Sequence, residues 1–141
     1  MNSSPDTNRV RAQLLVWWIT WGTILAFLIL IYVVLGLGRK PLAPELAARQ
    51  VLTGLVGLAP LFVSIIIRWL VLPRSRNIRA AFLMFVVGLI LAELCGLLGI
   101  FFGGPYRDEL FVLGVLAVAQ FVPFFARQFL EPRSTGFIPN N

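Results

Sequence analysis

The chain has 141 residues, of which 59% are hydrophobic and 13% are charged, whereas soluble domains carry about 25% charged residues. It has 12 Lys and Arg against 6 Asp and Glu, no histidine and a single cysteine. An intrachain disulfide, a thiolate cluster and a histidine-ligated metal or haem are therefore excluded, and we expect no metal and no cofactor. The basic residues lie in short links between apolar runs, which indicates a role in membrane topology and not nucleic-acid binding.

The first apolar run extends from Leu14 to Leu37, after a polar tail that we predict over residues 1–13. As a helix, this run is long enough to cross the roughly 30 Å hydrocarbon core. It is too long for the apolar region of a signal peptide, and no small-residue cleavage site follows it. We therefore predict an uncleaved first span. Three tryptophans near its start favour the headgroup boundary: Trp17, Trp18 and Trp21.

Three further apolar runs follow, and the links between them are too short to hold a soluble domain. They extend over residues 45–72, 80–104 and 110–126. Isolated apolar segments of this length satisfy their backbone in lipid only as helices. We therefore predict an all-α integral membrane protein, with a four-helix transmembrane domain over residues 14–127 and a polar tail over 128–141. The four transmembrane helices are expected near residues 13–37, 46–72, 79–103 and 109–127.

The distribution of basic residues predicts the orientation of these helices. Eight Lys and Arg fall on the side of the two termini and of the second link, namely Arg9, Arg11, Arg68, Arg74, Arg76, Arg79, Arg127 and Arg133. Four fall on the other side, namely Arg39, Lys40, Arg49 and Arg107. Because the richer side faces the cytoplasm, we predict that both termini are cytoplasmic.

One carboxylate, Glu93, lies inside an apolar run and is the candidate functional residue. It lies 14 residues after Arg79, hence roughly 20 Å from the predicted cytoplasmic end of the third helix. A charge at this depth costs a few kcal/mol or more, so we expect Glu93 to be buried against protein and protonated. Two interpretations stay open: an ion-binding site for a proton or sodium, or a neutral acid that hydrogen-bonds a neighbouring helix. The Val56 carbonyl, which Pro60 leaves without its helical donor, is a candidate acceptor. We expect Arg68 to extend to the headgroups and not to pair with Glu93.

Small residues are spaced for close packing on the third helix. Gly88, Ala92 and Gly96 recur at intervals of four, which lets helix backbones approach each other. Because the link PRSRNIR is short, we predict that this stripe packs against the second helix. The second helix has its own small and polar face, which indicates either tight packing or a water-lined path: Gln50, Gly54, Gly57, Leu61, Ser64 and Arg68.

Three remaining residues have structural interpretations. Cys95 is interpreted as a small buried hydrophobic residue. Gln120 and Pro123 lie near the predicted cytoplasmic end of the fourth helix, where they indicate a local kink with a satisfied side-chain amide.

The segment RAAFLMFVVGLILAELCGLLGIFFGG resembles the carboxylate-bearing helix of rotary ATPase proteolipid c-subunits, in which a Glu follows a small residue in mid-helix. It is also similar to a segment of uncharacterised small bacterial four-helix membrane proteins. The resemblance covers about 25 residues. The second helix lacks the dense run of alternating glycines with which c-subunits pack into a ring. The resemblance therefore implies only that Glu93 is a candidate ion-binding carboxylate, in a protein of the bacterial inner membrane.

Three classes of function follow from these features. The first, which we favour, is a non-catalytic membrane protein, an accessory subunit whose partners are the lipid bilayer and a homo-oligomer or larger membrane complex. The second is proton or cation translocation through Glu93. The third is an intramembrane enzyme, which we do not expect because the chain lacks histidine, a cluster of Asp and a Ser paired with a base.

Overall fold

The structure is a computed structural model that describes residues 5–37, 56–75 and 77–130. All regular structure in these ranges is helical, as predicted. The α-helices are α1 (Pro5–Ile31), α2 (Leu58–Ile66), α3 (Ile78–Phe102), α4 (Arg107–Ala119) and α5 (Arg127–Leu130). The π-helical turns Tyr32–Gly36 and Ile67–Val71 extend α1 and α2, and the 3-10 turns are Leu72–Arg74, Gly104–Tyr106 and Pro123–Ala126.

Three helical segments are long and apolar enough to cross a membrane, which supports a membrane protein. They are Asn8–Gly36, Ile78–Phe102 and Arg107–Leu130. The helical run that contains α2 continues through its two turns to Arg74, two residues beyond the predicted end of the second span at residue 72. The first part of that span, with Gln50 and Gly54, lies outside the described residues.

The first helix begins earlier than predicted, at Pro5, so that much of the predicted polar tail is helical. Proline is favoured at the first helical position because its missing N–H has no partner there in any case. The apolar pattern alone marks the span and not the polar turns that precede it.

The helices α1 and α3 run in parallel. Trp17 contacts Phe82 and Phe85 near the start of α3, whereas Leu28 lies against Gly96 further along. One end of the bundle therefore collects the starts of α1 and α3 and the end of α2. We call it the basic end because its described arginines are Arg9, Arg11, Arg74, Arg79 and Arg127.

The third helix is the centre of the bundle, and its small residues divide between different neighbours. At Gly88 a Cβ would lie 3.2 Å from Ile67 Cγ2 and would collide with the Phe121 ring. At Gly96 a Cβ would meet Leu28, and Gly114 packs against the Gly96 backbone. The prediction that the whole stripe faces the second helix is therefore wrong for Gly96, which packs between α1 and α4.

An aromatic cluster fills the basic end. Trp17 is 2% exposed and its ring contacts those of Phe82, Phe85, Phe125 and Phe129. Its ring points into the bundle toward this cluster and away from lipid. Trp18 is exposed and Trp21 is half-buried.

Candidate functional site

Glu93 is half-buried on α3, nine residues before the helix ends at Phe102. Its Oε1 atom is buried and has no hydrogen-bond partner among the described residues. Oε1 therefore makes no hydrogen bond to the Val56 carbonyl, the candidate acceptor, although Val56 belongs to the described chain. Glu93 lies within α3, and one of its oxygen atoms has no partner in the described part of the chain.

Arg68 contacts the interruption of the fourth span and not Glu93. Its Nε donates a 2.7 Å hydrogen bond to the carbonyl of Gln120. Its guanidinium carbon lies 4.2 Å from the centroid of the Phe125 ring and 5.4 Å from that of Trp69. Both rings present a negative π-face to the cation. As predicted, Arg68 forms no ion pair with Glu93.

The fourth span is interrupted after α4, where the helical hydrogen bonds end and Pro123 begins a 3-10 turn. A helix end in an apolar bundle leaves carbonyls that need donors from elsewhere. Arg68 supplies the Gln120 carbonyl. The indole Nε1 of Trp21 donates a 2.9 Å bond to the Val118 carbonyl, in addition to the 3.0 Å bond from the Phe121 amide. The predicted kink is confirmed, but the Gln120 backbone carbonyl makes the contact and not its side-chain amide.

Ser64 joins α2 to α3 in the interior of the bundle. Its Oγ donates a 3.0 Å hydrogen bond to the Gly88 carbonyl, and the side chain is 0% exposed. The predicted small and polar face of the second helix does turn inward, because Gly57, Ser64 and Ile67 are buried and Leu61 is half-buried. This contact favours tight helix packing over a water-lined path, since the hydroxyl bonds directly to the neighbouring helix.

A polar network closes the end of the bundle opposite the basic end. The Tyr32 hydroxyl donates to Asp108 Oδ1 at 3.0 Å, and Arg107 Nε donates to the same oxygen at 2.9 Å. Arg107 Nη1 also donates to the Gly36 carbonyl at 2.7 Å. The Tyr32 ring stacks on Phe111 with centroids 3.8 Å apart. These contacts attach the end of α1 to the start of α4.

Analysis of the sequence identified Glu93 and Arg68 but missed the roles of Trp21, Tyr32 and Asp108. For Tyr32 and Asp108 the available signal was weak: both lie at the ends of apolar runs on the same predicted side of the membrane. For Trp21 the signal was the predicted kink near Pro123, which leaves carbonyls in need of donors.

In the part of the chain that the structure describes, no group of three or more His, Cys, Asp or Glu is placed to hold a metal ion. Cys95 is buried, as predicted.

Comparisons with known proteins returned no matching family, no similar curated protein and no similar solved structure.

Proposed function

We propose that this chain is a non-catalytic integral membrane protein of the bacterial inner membrane that works as a subunit of a larger membrane complex. Glu93 then lies at its contact with a neighbouring subunit. The observation that carries the proposal is the buried Oε1 of Glu93, which has no hydrogen-bond partner among the described residues. An unsatisfied polar atom in an apolar setting is unfavourable by about 1–3 kcal/mol, and a partner helix can supply the missing bond.

The remaining polar contacts of the bundle support this reading. Ser64, Arg68 and Trp21 each find a backbone carbonyl within the same chain. Their hydrogen bonds join helices to one another and close the interrupted fourth span. Glu93 contributes to none of these contacts, so the described part of its own chain gives no structural reason for a carboxyl group at this depth. A contact with another subunit supplies such a reason.

The proposed topology has four spans, with both termini in the cytoplasm. Three helices have the length and apolarity of a span, and α2 with its turns ends at the basic end beside the start of α3. The exposed arginines of that end, Arg9, Arg11, Arg74, Arg79 and Arg127, then face the cytoplasm, in agreement with the positive-inside rule.

The test compares two Glu93 variants in gently solubilised membranes. Glu93→Gln keeps the size and hydrogen-bonding capacity of the side chain, so we expect the complex to be retained. Glu93→Leu removes both oxygens, and we expect the complex to dissociate in native mass spectrometry. Glu109→Gln, which neutralises an exposed carboxylate at the other end of the bundle, is the matched control and should leave the complex intact. A Glu93→Leu protein that keeps the same partners as the unmodified chain would refute the proposal.

Proton or cation translocation through Glu93 is the second candidate. The same observation favours it, because a half-buried carboxyl group with one unsatisfied oxygen is able to take up a cation. Glu93→Gln separates this candidate from the first, because it should impair ion flux without affecting the complex. Glu93→Gln should abolish ion flux into liposomes because an amide does not titrate, while the complex and the thermal stability are preserved. If flux is unchanged in Glu93→Gln, translocation through this residue is excluded.

A further inference from the structure

We infer that Arg68 forms a binding site for the phosphate group of an anionic phospholipid in the leaflet at the basic end of the bundle. Of its hydrogen-bonding atoms, only Nε contacts the described protein, at the Gln120 carbonyl. Its two Nη groups form no hydrogen bond within the described ranges, and neither is a buried atom without a partner. The guanidinium is therefore held in place, while its two Nη groups have no partner in the described part of the chain and remain as donors for a ligand.

The guanidinium lies closer to the membrane surface than its own backbone does. The neighbouring Ile67 is level with Gly88, as its 3.2 Å approach to that residue shows. The guanidinium instead lies over the Phe125 ring, which is 6.0 Å from the ring of Phe85. Phe85 lies seven residues after α3 begins, hence about 10 Å from the helix start. The side chain thus extends toward the basic end, where lipid phosphates lie.

Exposed aromatic side chains mark the same level on the outside of the bundle. Trp69 is 65% exposed and lies beside the guanidinium. Phe124 is 76% exposed, and its ring contacts that of Trp18 at 5.4 Å. Amphipathic rings such as Trp concentrate at the interface between hydrocarbon and headgroups. Trp69 gives a bound lipid apolar surface for its upper acyl chains next to the cation that holds its phosphate.

The charge of the ligand follows from the surroundings of Arg68. None of the described side chains that contact it is acidic: its neighbours are the Gln120 carbonyl and the rings of Phe125 and Trp69. A planar guanidinium whose two Nη groups have no partner among residues 5–37, 56–75 and 77–130 fits the oxygen atoms of a phosphate in a bidentate manner. The net positive charge of the basic end favours an anionic lipid over a zwitterionic one. The inference rests on the membrane-embedded bundle proposed above but not on Glu93.

The experiment measures the binding of phosphatidylglycerol and phosphatidylcholine to the purified full chain by native mass spectrometry. Loss of a charge-assisted pair weakens binding by about tenfold or more, so Arg68→Gln should weaken phosphatidylglycerol binding by that factor. Arg79→Gln removes a positive charge from the same end, at an exposed side chain. It should change binding less than about twofold, because salt screens the interactions of exposed charges. Equal losses in the two variants would overturn the inference.

A measurement on the unmodified chain covers the case in which Arg68→Gln does not fold. Phosphatidylglycerol brominated near its headgroup should quench tryptophan fluorescence more strongly than brominated phosphatidylcholine. The excess should disappear in Trp69→Phe, which keeps an aromatic ring at this position. Equal quenching by the two lipids would overturn the inference. Soluble glycerol phosphate should not relieve the excess, and its doing so would assign the site to a free phosphate and refute a lipid site.

Discussion

Gly114 packs directly on the backbone of Gly96. A Cβ at Gly114 would lie 2.6 Å from the Cα and 2.7 Å from the amide nitrogen of Gly96. These distances are far shorter than a van der Waals contact, so α3 and α4 approach this closely only because both residues lack a side chain. The close approach determines how α3 and α4 pack against each other in the centre of the bundle.

Gly114→Ala should therefore destabilise the protein by about 1–3 kcal/mol, as overpacking of a tight contact does. The clash is with backbone atoms, which cannot rotate away. Gly22→Ala is the matched control, because a Cβ at Gly22 meets nothing within 4 Å and both positions are helical. The thermal unfolding midpoint in detergent should fall for Gly114→Ala alone. Equal midpoints for the two variants would contradict the packing of Gly114 on Gly96.

Ser64→Ala should destabilise the bundle by about 0.6–2 kcal/mol, the range measured for hydrogen bonds between membrane helices. The variant removes the 3.0 Å bond from Ser64 to the Gly88 carbonyl and leaves that buried carbonyl without this donor. Ser75→Ala is the control: its hydroxyl makes only a 3.4 Å contact to Val71 at an exposed site. Unfolding curves of the two variants should differ, and a larger loss in Ser75→Ala would be evidence against the role of Ser64.

The bond between Tyr32 and Asp108 should contribute less than the stacking of the Tyr32 ring. Asp108 is 61% exposed, and exposed polar pairs contribute about 0.2–1 kcal/mol. Tyr32→Phe, which keeps the ring on Phe111, should therefore lower stability by at most about 1 kcal/mol. Tyr32→Ala also removes the partly buried ring, and it should cost more, up to about 3 kcal/mol. A double-mutant cycle of Tyr32→Phe with Asp108→Asn measures the coupling, and a coupling well above that range would show that the pair is shielded from solvent.

The topology can be tested with single cysteines in a Cys95→Ala background, since Cys95 is the chain's only cysteine and is buried. Ser75→Cys, at the basic end, should react with a membrane-impermeant thiol reagent only after the cells are opened. Glu109→Cys, at an exposed position of the other end, should react in intact cells. The reverse pattern would mean that the basic end lies outside the cytoplasm.

Part of the packing was predictable because small residues on a helix indicate a close neighbour. The stripe of Gly88, Ala92 and Gly96 predicted close packing of α3 against its neighbours, and the structure confirms it. The choice of neighbour was not predictable for Gly96. Helical periodicity defines which residues share a face, but which helix covers that face depends on how all the helices pack together.

The candidate site was likewise predictable from the sequence only in part. An ionisable residue within an apolar run is costly wherever the helix turns, so Glu93 was identifiable from its position alone. The absence of the Val56 bond was not predictable, because similar depth in two helices does not place their side chains in contact. Trp17 is a further case. Its position among three tryptophans near the start of the first span was visible in the sequence, but its burial depends on contacts with the rings of Phe85 and Phe125.

By itself, the sequence determined that the described chain is helical and that at least three of its helices are able to cross a membrane, because long apolar runs satisfy their backbone groups in lipid only as helices. It also located the interruption near Pro123, since proline cannot donate a helical hydrogen bond. Only the tertiary structure decided that Arg68 and Trp21 supply donors to the carbonyls of Gln120 and Val118. Those donors come from other helices. Whether they contact the carbonyls depends on the distances between helices, which no local sequence pattern determines.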